Sequence, residues 1–514
     1  MTEWTSGYVA DIDYTYGYYA ELNPARCHMA LLNASIKPPE FQSACELGFG
    51  QGVSVNLHAA ASDIKWFGTD FNPAQAAFAR DLAEISGSGA ALYDDAFAEF
   101  AKRPDLPDFD YISLHGIWSW ISDENRDVIV DFIRRKLKVG GVLYVSYNTM
   151  PGWASFAPLR NLMSQHADLI GSEGSGIVSR IDGALEFAKS LLDTNPLFKR
   201  ANPQVEDRLN KMSGMSRHYL AHEYFNKDWC PMHFATLAAW LRPAKLDFAA
   251  PAHPADHFNN INLSTEQNDF LQSIPDRMLR QSTRDFMVNQ QFRRDYWIKG
   301  ARRCTALERM EALSKMEVVL SVPREDIKFS IQGGQGEARL NESIYVPILD
   351  ALADYKPKTI AKLLKAAQGA NEDINFQSVV EAVMLLSSSQ SVAPVRLGGS
   401  SKKVKQQTDK LNQHLISQAR SRADVVNLVS PVTGGGIPIG RIQQLFLGSV
   451  NDGAKTPTEI AARTWAHLSL LGERMLKDGK AIESDADNLA DLEIRAQEFI
   501  EKLMPILKAL QIAN

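Results

Sequence analysis

The segment ACELGFGQG, residues 44–52, places three alternating glycines, Gly48, Gly50 and Gly52, directly after a short apolar run. Glycine lacks a Cβ and tolerates positive φ, so a turn of this kind lets the backbone approach a ligand closely. The spacing is G-x-G-x-G rather than the G-x-G-x-x-G of nicotinamide and flavin sites, although either can join a first strand to a first helix. No Gly-Lys-Ser/Thr follows, which excludes a phosphate-binding loop.

Residues 40–146 alternate short apolar runs with helix-like stretches, the pattern of a parallel α/β sheet. The five expected strands are SACELGF, DIKWFGTD, GAALYDD, FDYISLHG and GGVLYVSY. Five strands are too few for a doubly wound sheet that ends in an antiparallel hairpin. We therefore predict that KLDFAA and FRRDYWIKG (292–300) are the last two strands, and that residues 154–228 form a helical insertion.

From about residue 304 the pattern changes to short amphipathic helices. VPILDALAD, KTIAKLLKAA and FQSVVEAVMLLSSS, followed by the strand-like SVAPVRL, predict a winged-helix-like unit. The segment 398–410 is rich in Gly, Ser and Lys, so it is predicted to be a linker. The rest of the chain predicts an α-rich C-terminal region of the α+β type.

Composition narrows the function classes. A net charge of −6 argues against a chain built mainly to bind nucleic acid. No apolar run reaches the ~18 residues of a membrane span, and MTEWTSGYVADIDYTYGYY has no signal-peptide pattern, so we expect a cytoplasmic protein. His218, His222 and Glu223 lie close together, but the H-E-x-x-H order is absent. No metal is therefore expected.

Acidic residues follow successive predicted strands, on the side where α/β proteins bind ligands. Asp70 ends the second strand, where a carboxylate can accept both ribose hydroxyls of an adenosine. Glu46 precedes the first glycine, where it would repel a pyrophosphate but accept from an ammonium. S-adenosylmethionine has an α-amino group and no phosphate, so the sequence favours it over NAD.

The segment DDAF (94–97) follows the third strand. The Asp95 carboxylate can accept the adenine amino group there, while Phe97 and Phe71 can flank the ring. The complete predicted cofactor site is Glu46, Gly48, Gly50, Gly52, Asp70, Phe71, Asp95, Ala96, Phe97 and His115.

These features resemble the class I S-adenosylmethionine-dependent methyltransferases. ELGFGQG is similar to their first motif, Asp70 and Asp95 to the acids of their second and third strands, and LKVGGVLYVSY to their fifth-strand segment. FDYISLHGIWSWI, YVSYNTMPGW, HYLAHEYFN and RDFMVNQQFR are similar to a bacterial branch that carries a regulatory domain. Known members of that branch include protein lysine methyltransferases acting on outer-membrane proteins. The similarity covers roughly residues 10–300, and Phe49 departs from the glycine or alanine usual at its position.

The resemblance implies a Rossmann-like, doubly wound, mainly parallel sheet and a protein substrate. It also completes the expected division of the chain. The divisions are a methyltransferase core (1–153), the helical insertion (154–228), the end of the sheet with a regulatory region (229–303), the winged-helix-like unit (304–397), the linker (398–410) and the C-terminal α-rich region (411–514).

A lysine amine must be neutral to attack a methyl group, so its pKa must be lowered by burial or by nearby cations. An aromatic, uncharged channel beyond the fourth and fifth strands would do this. We predict Tyr147, Asn148 and His115 as catalytic residues. The alternative for each is a structural role, in which the side chain only stabilises the end of its strand. The predicted channel residues are Trp118, Trp120, Trp153 and Tyr16, with one of the first two expected in the core.

Leu114-His115-Gly116 ends the fourth strand in place of an Asn/Asp-Pro-Pro-Tyr/Phe signature. This argues against DNA adenine and glutamine amide as substrates. The sequence therefore predicts a methyltransferase, and the resemblance implies in-line methyl transfer to protein lysine. A small-molecule methyltransferase and a non-catalytic regulator that binds cofactor or DNA stay open as alternatives. The oligomeric state also stays open, with a dimer among the alternatives.

Overall fold

The computed structural model describes residues 15–171, 176–399 and 401–513. Residues 1–14, which hold most of the segment behind the signal-peptide prediction, lie outside this part of the chain. Among the helices that the structure describes, none is both long and apolar enough to cross a bilayer.

A seven-stranded sheet lies at the centre of the N-terminal half. Its strands are β1 (Ser43–Leu47), β2 (Lys65–Thr69), β3 (Ala91–Tyr93), β4 (Phe109–Leu114), β5 (Leu137–Asn148), β6 (Leu246–Pro251) and β7 (Phe292–Lys299). Their spatial order is β3-β2-β1-β4-β5-β7-β6, with β1 to β5 parallel and β7 antiparallel to both neighbours. The predicted doubly wound sheet is confirmed, including KLDFAA and FRRDYWIKG as its last two strands.

Five helices accompany the first five strands. They are α1 (Pro24–Asn33), α2 (Val53–Ala60), α3 (Pro73–Ser86), α4 (Phe97–Phe100) and α5 (Asp123–Lys136). Local sequence explains their ends: the Asn72 side chain accepts from the Ala74 backbone at the start of α3, and Gly87 closes that helix at φ +67°. In α5, acidic residues occupy the first turn and basic residues the last, which suits the helix dipole.

Between β5 and β6 the chain forms mainly helices, as predicted for the insertion. These are α6 (Met150–Trp153), α7 (Ala157–Leu169), α8 (Gly176–Asp193), α9 (Leu197–Ala201), α10 (Gln204–Ser213), α11 (Arg217–Tyr224) and α12 (Phe234–Leu241). The first six bury a shared apolar core that includes Phe156, Leu185 and Leu220. Between β6 and β7 lie α13 (Thr265–Ser273) and α14 (Arg277–Met287).

The next region contains the three predicted amphipathic helices. Its elements are α15 (Ala306–Lys315), β8 (Glu317–Leu320), β9 (Ser330–Gly333), β10 (Gly336–Arg339), α16 (Glu342–Leu352), β11 (Lys358–Thr359), α17 (Ile360–Ala370), α18 (Phe376–Ser388) and β12 (Val392–Pro394). Strands β11, β8 and β12 form a small antiparallel sheet, and the helices share one apolar core with it. The winged-helix-like assignment stays a prediction.

The C-terminal region is mostly helical. Its elements are α19 (Lys402–Gln418), β13 (Asn427–Ser430), β14 (Gly435–Pro438), α20 (Arg441–Asn451), α21 (Pro457–Leu470), β15 (Leu476–Lys477), β16 (Lys480–Ala481), α22 (Asp485–Glu498) and α23 (Met504–Ala509). A five-residue π-helical turn joins α22 to α23.

The predicted linker at 398–410 is wrong, because most of it belongs to α19. Val404, Leu411 and Leu415 recur at helical spacing and are buried. The lysines that suggested a linker occupy the other faces of the helix, and Ser401 caps its start by accepting from the Val404 backbone. α19 packs against α2 and α3, behind the glycine turn.

A glycine hairpin of the C-terminal region supports the segment before α1. A Cβ on Gly435 would lie 2.3 Å from the Tyr18 hydroxyl, and one on Gly436 would lie 2.8 Å from the Leu57 side chain. The Asn23 side chain donates to the Thr433 carbonyl at 3.1 Å. The segment SPVTGGGIPIG (430–440) therefore fixes the chain just before Tyr19, which reaches a cavity at the carboxyl ends of the parallel strands.

Candidate active site

A cavity opens at the carboxyl ends of the parallel strands, between two walls of different origin. The strand wall comes from the loops after β1 to β4, together with Tyr19. The α11 wall comes from α11 and the residues that follow it, namely His222, Glu223, Asn226 and Asp228. Ligands of open α/β sheets bind at this edge, so the cavity is the candidate active site.

The glycine turn forms the floor of the strand wall. Gly48, Gly50 and Gly52 have φ of +67°, +58° and +69°, where side chains other than glycine are strained. Gly48 and Gly50 line the cavity, and a Cβ on Gly48 would lie 2.5 Å from the Ile117 side chain. Gly52 serves packing instead, because its Cβ would lie 2.4 Å from the Cβ of Ala79 on α3.

Two buried carboxyl groups lie beside this turn. Asp70 accepts from the backbone amides of Gly50 at 2.8 Å and Asn72 at 3.0 Å, and burial raises its pKa to about 6. Glu46 is only 2% exposed, and its Oε2 has no hydrogen-bond partner in the described part of the protein. Burial and the charge of Asp70 raise the Glu46 pKa to about 8.

An unpartnered buried carboxyl group is costly unless a donor or cation meets it. A primary ammonium group would supply both the missing hydrogen bonds and the compensating charge. The strand wall therefore has the chemistry that the sequence predicts for the α-amino end of S-adenosylmethionine.

The predicted adenine end of the site also lies at the cavity. Asp95, Ala96, Phe97 and Phe71 line it together. One carboxyl oxygen of Asp95 pairs with the Arg103 guanidinium at 3.0 Å, which fixes the orientation of the acid. The structure thus brings together every predicted cofactor residue except Gly52.

His115 lies at the cavity as a neutral ring held from two sides. Its Nδ1 is 2.8 Å from the Tyr144 hydroxyl, and its ring stacks on Tyr19 with 3.5 Å between the ring centroids. Burial lowers the His115 pKa to about 4. The ring is therefore uncharged at neutral pH and is a wall or hydrogen-bonding group rather than a proton acceptor.

Tyr147 and Asn148, predicted to be catalytic, do not line the cavity. Tyr147 points to the opposite side of β5, where its buried hydroxyl donates to Asp295 at 3.1 Å. Side chains alternate along a strand, and Tyr144 is the β5 residue that contacts His115. Asn148 is buried at the strand end, where its backbone amide donates to Ser119 and its carbonyl accepts from Met232.

Of the predicted channel aromatics, Trp120 alone lines the cavity within the described residues. Trp118 is fully buried and its indole nitrogen lies 3.2 Å from the Met232 sulfur, as expected for one of the two tryptophans. Trp153 packs against Trp229 in the helical core. Tyr16 packs edge-on against Phe78 on α3, and from the same aromatic segment it is Tyr19 that reaches the cavity.

The α11 wall is not among the site residues predicted from the sequence. α11 is anchored by Leu220 and Ala221, which are fully buried in the helical core. The Asn226 side chain donates to the His222 carbonyl at 2.6 Å, which stabilises the turn after the helix. Glu223 faces the cavity, and burial raises its pKa to about 7.

A signal for this wall was present in the segment HYLAHEYFN, which contains three of the four wall residues. The close spacing of His218, His222 and Glu223 raises the question of a metal site, and that question does not point to a cavity wall. The described residues hold no group of three His, Cys, Asp or Glu that could bind a metal ion.

Comparison with known proteins gives one match to a family model and several similar chains. The model described as "Predicted methyltransferase regulatory domain" matches residues 216–299, which include the α11 wall and strands β6 and β7. The protein sll1526 of Synechocystis sp. is 36% identical over 515 residues, covering 99% of this chain and all of that protein. The protein RP789 of Rickettsia prowazekii is 26% identical over 54% of this chain and 49% of its own length.

Among solved structures, PKMT2 from Rickettsia typhi in complex with AdoHcy superimposes with a TM-score of 0.68. The match covers 97% of this chain and 99% of that protein at 16% sequence identity. At that identity the likeness concerns the fold, and it extends over the whole chain rather than the sheet alone.

Proposed function

The chain belongs to the class I S-adenosylmethionine-dependent methyltransferases that carry a methyltransferase regulatory domain, and we propose that it methylates lysine side chains of proteins. The observation that carries this proposal is one cavity with two acidic walls. The strand wall has the groups that an S-adenosylmethionine molecule needs, and the α11 wall faces it with carboxyl groups that attract a cationic side chain.

On the strand wall, Glu46 accepts from the α-amino group of the cofactor and Asp70 accepts from its ribose. Phe71 and Phe97 flank the adenine, and Asp95 accepts a hydrogen bond from the adenine amino group. The complex of PKMT2 with AdoHcy supports this assignment through the shared fold. S-adenosylmethionine supplies a methyl group bound to a sulfonium, which a neutral amine attacks in line.

On the substrate side, Glu223 and Asp228 give the cavity a negative wall. Opposite charge favours the entry of a lysine ammonium, and burial then lowers the pKa of that amine. Tyr19, His115 and Trp120 add an uncharged aromatic surface that excludes water. The C-terminal half, whose helix α19 packs behind the strand wall, gives a macromolecular substrate a larger surface than a small molecule needs.

The test is to incubate the purified protein with methyl-labelled S-adenosylmethionine and a bacterial lysate. Label in protein bands, lost when the lysate amines are acetylated beforehand, is the expected result. Label that persists in acetylated protein would overturn the lysine assignment. Label in the small-molecule fraction would favour the small-molecule alternative, and an absence of label in either fraction would remove the catalytic proposal.

A further inference from the structure

We propose that Glu223 on α11 accepts the proton that the substrate lysine must lose before its nitrogen can be methylated. This inference rests on the proposed function and deepens it. It assigns the acid–base step to the helical insertion, whereas the cofactor is held by the sheet.

The position of Glu223 is fixed by the packing of its helix. Leu220 and Ala221 are buried on one side of α11, and Arg217 at its start pairs with Asp182 of α8 at 2.6 Å. After the helix, the Asn226 carbonyl accepts from the Arg160 guanidinium of α7 at 2.5 Å. Glu223 therefore faces the cavity from a braced helix, and rigid support is what a positioned proton acceptor requires.

The strand wall offers no competing acceptor once the cofactor is bound. Glu46 and Asp70 are committed to the amino group and ribose in the proposed function. Asp95 is paired with Arg103 at 3.0 Å. His115 is held by Tyr144, and burial lowers its pKa to about 4, far below that of an effective base at neutral pH.

The surroundings of Glu223 suit proton transfer near neutral pH. Burial raises the Glu223 pKa to about 7, and a base works best when its pKa lies near the working pH. On the same helix, burial and the charge of Glu223 raise the Tyr219 pKa to about 12, so that phenol stays neutral. The other titratable groups that line the cavity in the described part of the chain are Tyr19, Glu46, Asp70, Asp95, His115, His222 and Asp228.

The lysine ammonium gives one proton to the Glu223 carboxylate, which leaves a neutral amine beside a neutral carboxylic acid. Burial favours this neutral pair over an ion pair, and the sulfonium charge beside the amine lowers the pKa of the amine. The amine lone pair then bonds to the methyl carbon, and the carbon–sulfur electron pair goes to sulfur. Methyl-lysine leaves as an ammonium, and Glu223 returns its proton to water.

The experiment compares single-turnover labelling of lysate protein by the wild type and by Glu223→Gln between pH 6 and pH 10. General-base catalysis typically contributes 10²–10⁴-fold, so the variant should be about 100-fold slower at pH 7. The difference should shrink to about 3-fold near pH 10, where the free amine needs no base. Glu186→Gln, an exposed acid on α8, is the matched control and should behave as the wild type does at every pH.

If the ratio of the wild-type rate to the Glu223→Gln rate stays constant with pH, Glu223 has a merely structural role and the proposal is overturned. Equal rates would overturn it as well, while leaving lysine methylation intact. If the wild type itself labels no protein amine, the proposed function and this inference fail together.

Two further measurements guard against a folding defect. Glu223→Gln should bind S-adenosylhomocysteine within about 3-fold of the wild type by calorimetry, because the proposed function assigns the cofactor to groups of the strand wall. Formate should restore part of the pH 7 activity of Glu223→Ala, since a small carboxylate can enter the space left by the side chain. A folded Glu223→Ala protein that formate does not rescue at any concentration up to saturation would count against the proposal.

Discussion

The two walls of the cavity differ in how they are built. The strand wall is assembled from short loops, each following one strand of the sheet, and its residues lie between positions 46 and 125 apart from Tyr19. The α11 wall comes from a helix about a hundred residues later, inserted between β5 and β6 and held by its own core. In the proposed function, cofactor binding therefore depends on the sheet, whereas the substrate side depends on an inserted helical element.

Glu46→Gln should have the largest effect on stability, and it should stabilise the protein without ligand. The folded state holds the Glu46 proton more tightly than the unfolded chain, with a pKa of about 8 against an ordinary 4.5. The free energy of unfolding therefore falls as pH rises from about 4.5 to 8. Replacing the carboxyl group by an amide removes this titration, so the free energy of unfolding should rise by about 4 kcal/mol at pH 8 and by almost nothing at pH 4.

Urea unfolding of the two proteins at both pH values measures this. Glu223→Gln should raise the free energy of unfolding by less than Glu46→Gln does, because the Glu223 pKa is only about 7. An equal or larger gain at Glu223 would contradict the view that the strand wall carries the greater cost. Glu46→Gln should also weaken S-adenosylhomocysteine binding.

Asp70→Ala should weaken S-adenosylhomocysteine binding at least tenfold, because the ribose loses charge-assisted hydrogen bonds of ~1.5–3 kcal/mol. Calorimetry measures the affinity. Glu84→Ala, an exposed acid on α3, is the control and should bind normally. Unchanged affinity in Asp70→Ala would show that the strand wall does not hold the adenosine.

Tyr147→Phe should lower stability by about 1 kcal/mol, the usual value of a buried hydrogen bond, and leave turnover intact. The Tyr147 hydroxyl donates a hydrogen bond to Asp295 on the side of β5 that faces away from both walls. Tyr144→Phe is the matched change on the other face, where it removes the hydrogen bond to His115. Turnover should fall in Tyr144→Phe only. A loss of turnover in Tyr147→Phe, with normal folding, would restore the catalytic role predicted from sequence.

Ser401→Ala should have the smallest effect, about 0.5–1 kcal/mol of stability, because the cap of α19 is lost. Ser401→Asp, which can still cap, should stay near the wild type. Cofactor affinity should change in neither variant, since α19 supports the strand wall only from behind. Thermal unfolding and calorimetry together test this, and a changed affinity would show that the C-terminal region reaches into the site.

The sequence predicted the strand wall well because each of its groups is tied to a local pattern. Glu46, Asp70 and Asp95 each stand at the end of a recognisable strand, and parallel strands bring their carboxyl ends together. Tyr147 was misplaced because a one-residue change of register moves a side chain to the other face of a strand. Sequence position alone does not fix that register.

The α11 wall and α19 were missed for different physical reasons. Glu223 lies at the cavity because of the long-range packing of the helical insertion. The local sequence around Glu223 does not indicate which side of α11 faces the cavity. α19 was hidden by its composition, since the Gly, Ser and Lys residues that suggest a linker outnumber the few buried positions such as Val404. Helical spacing, rather than composition, was the signal that applied there.

Strands β6 and β7 limit which gene rearrangements this protein can tolerate. The region matched by the regulatory-domain model contains both strands, and β7 pairs with β5 along seven residue positions. Removing residues 216–299 would leave the β5 edge without its partner, and an exposed apolar edge of that kind invites aggregation. The region therefore cannot be deleted as a separate module without opening the sheet. If α11 forms the substrate side as proposed, substitutions within α11 and its neighbours can change the substrate preference while the sheet stays whole.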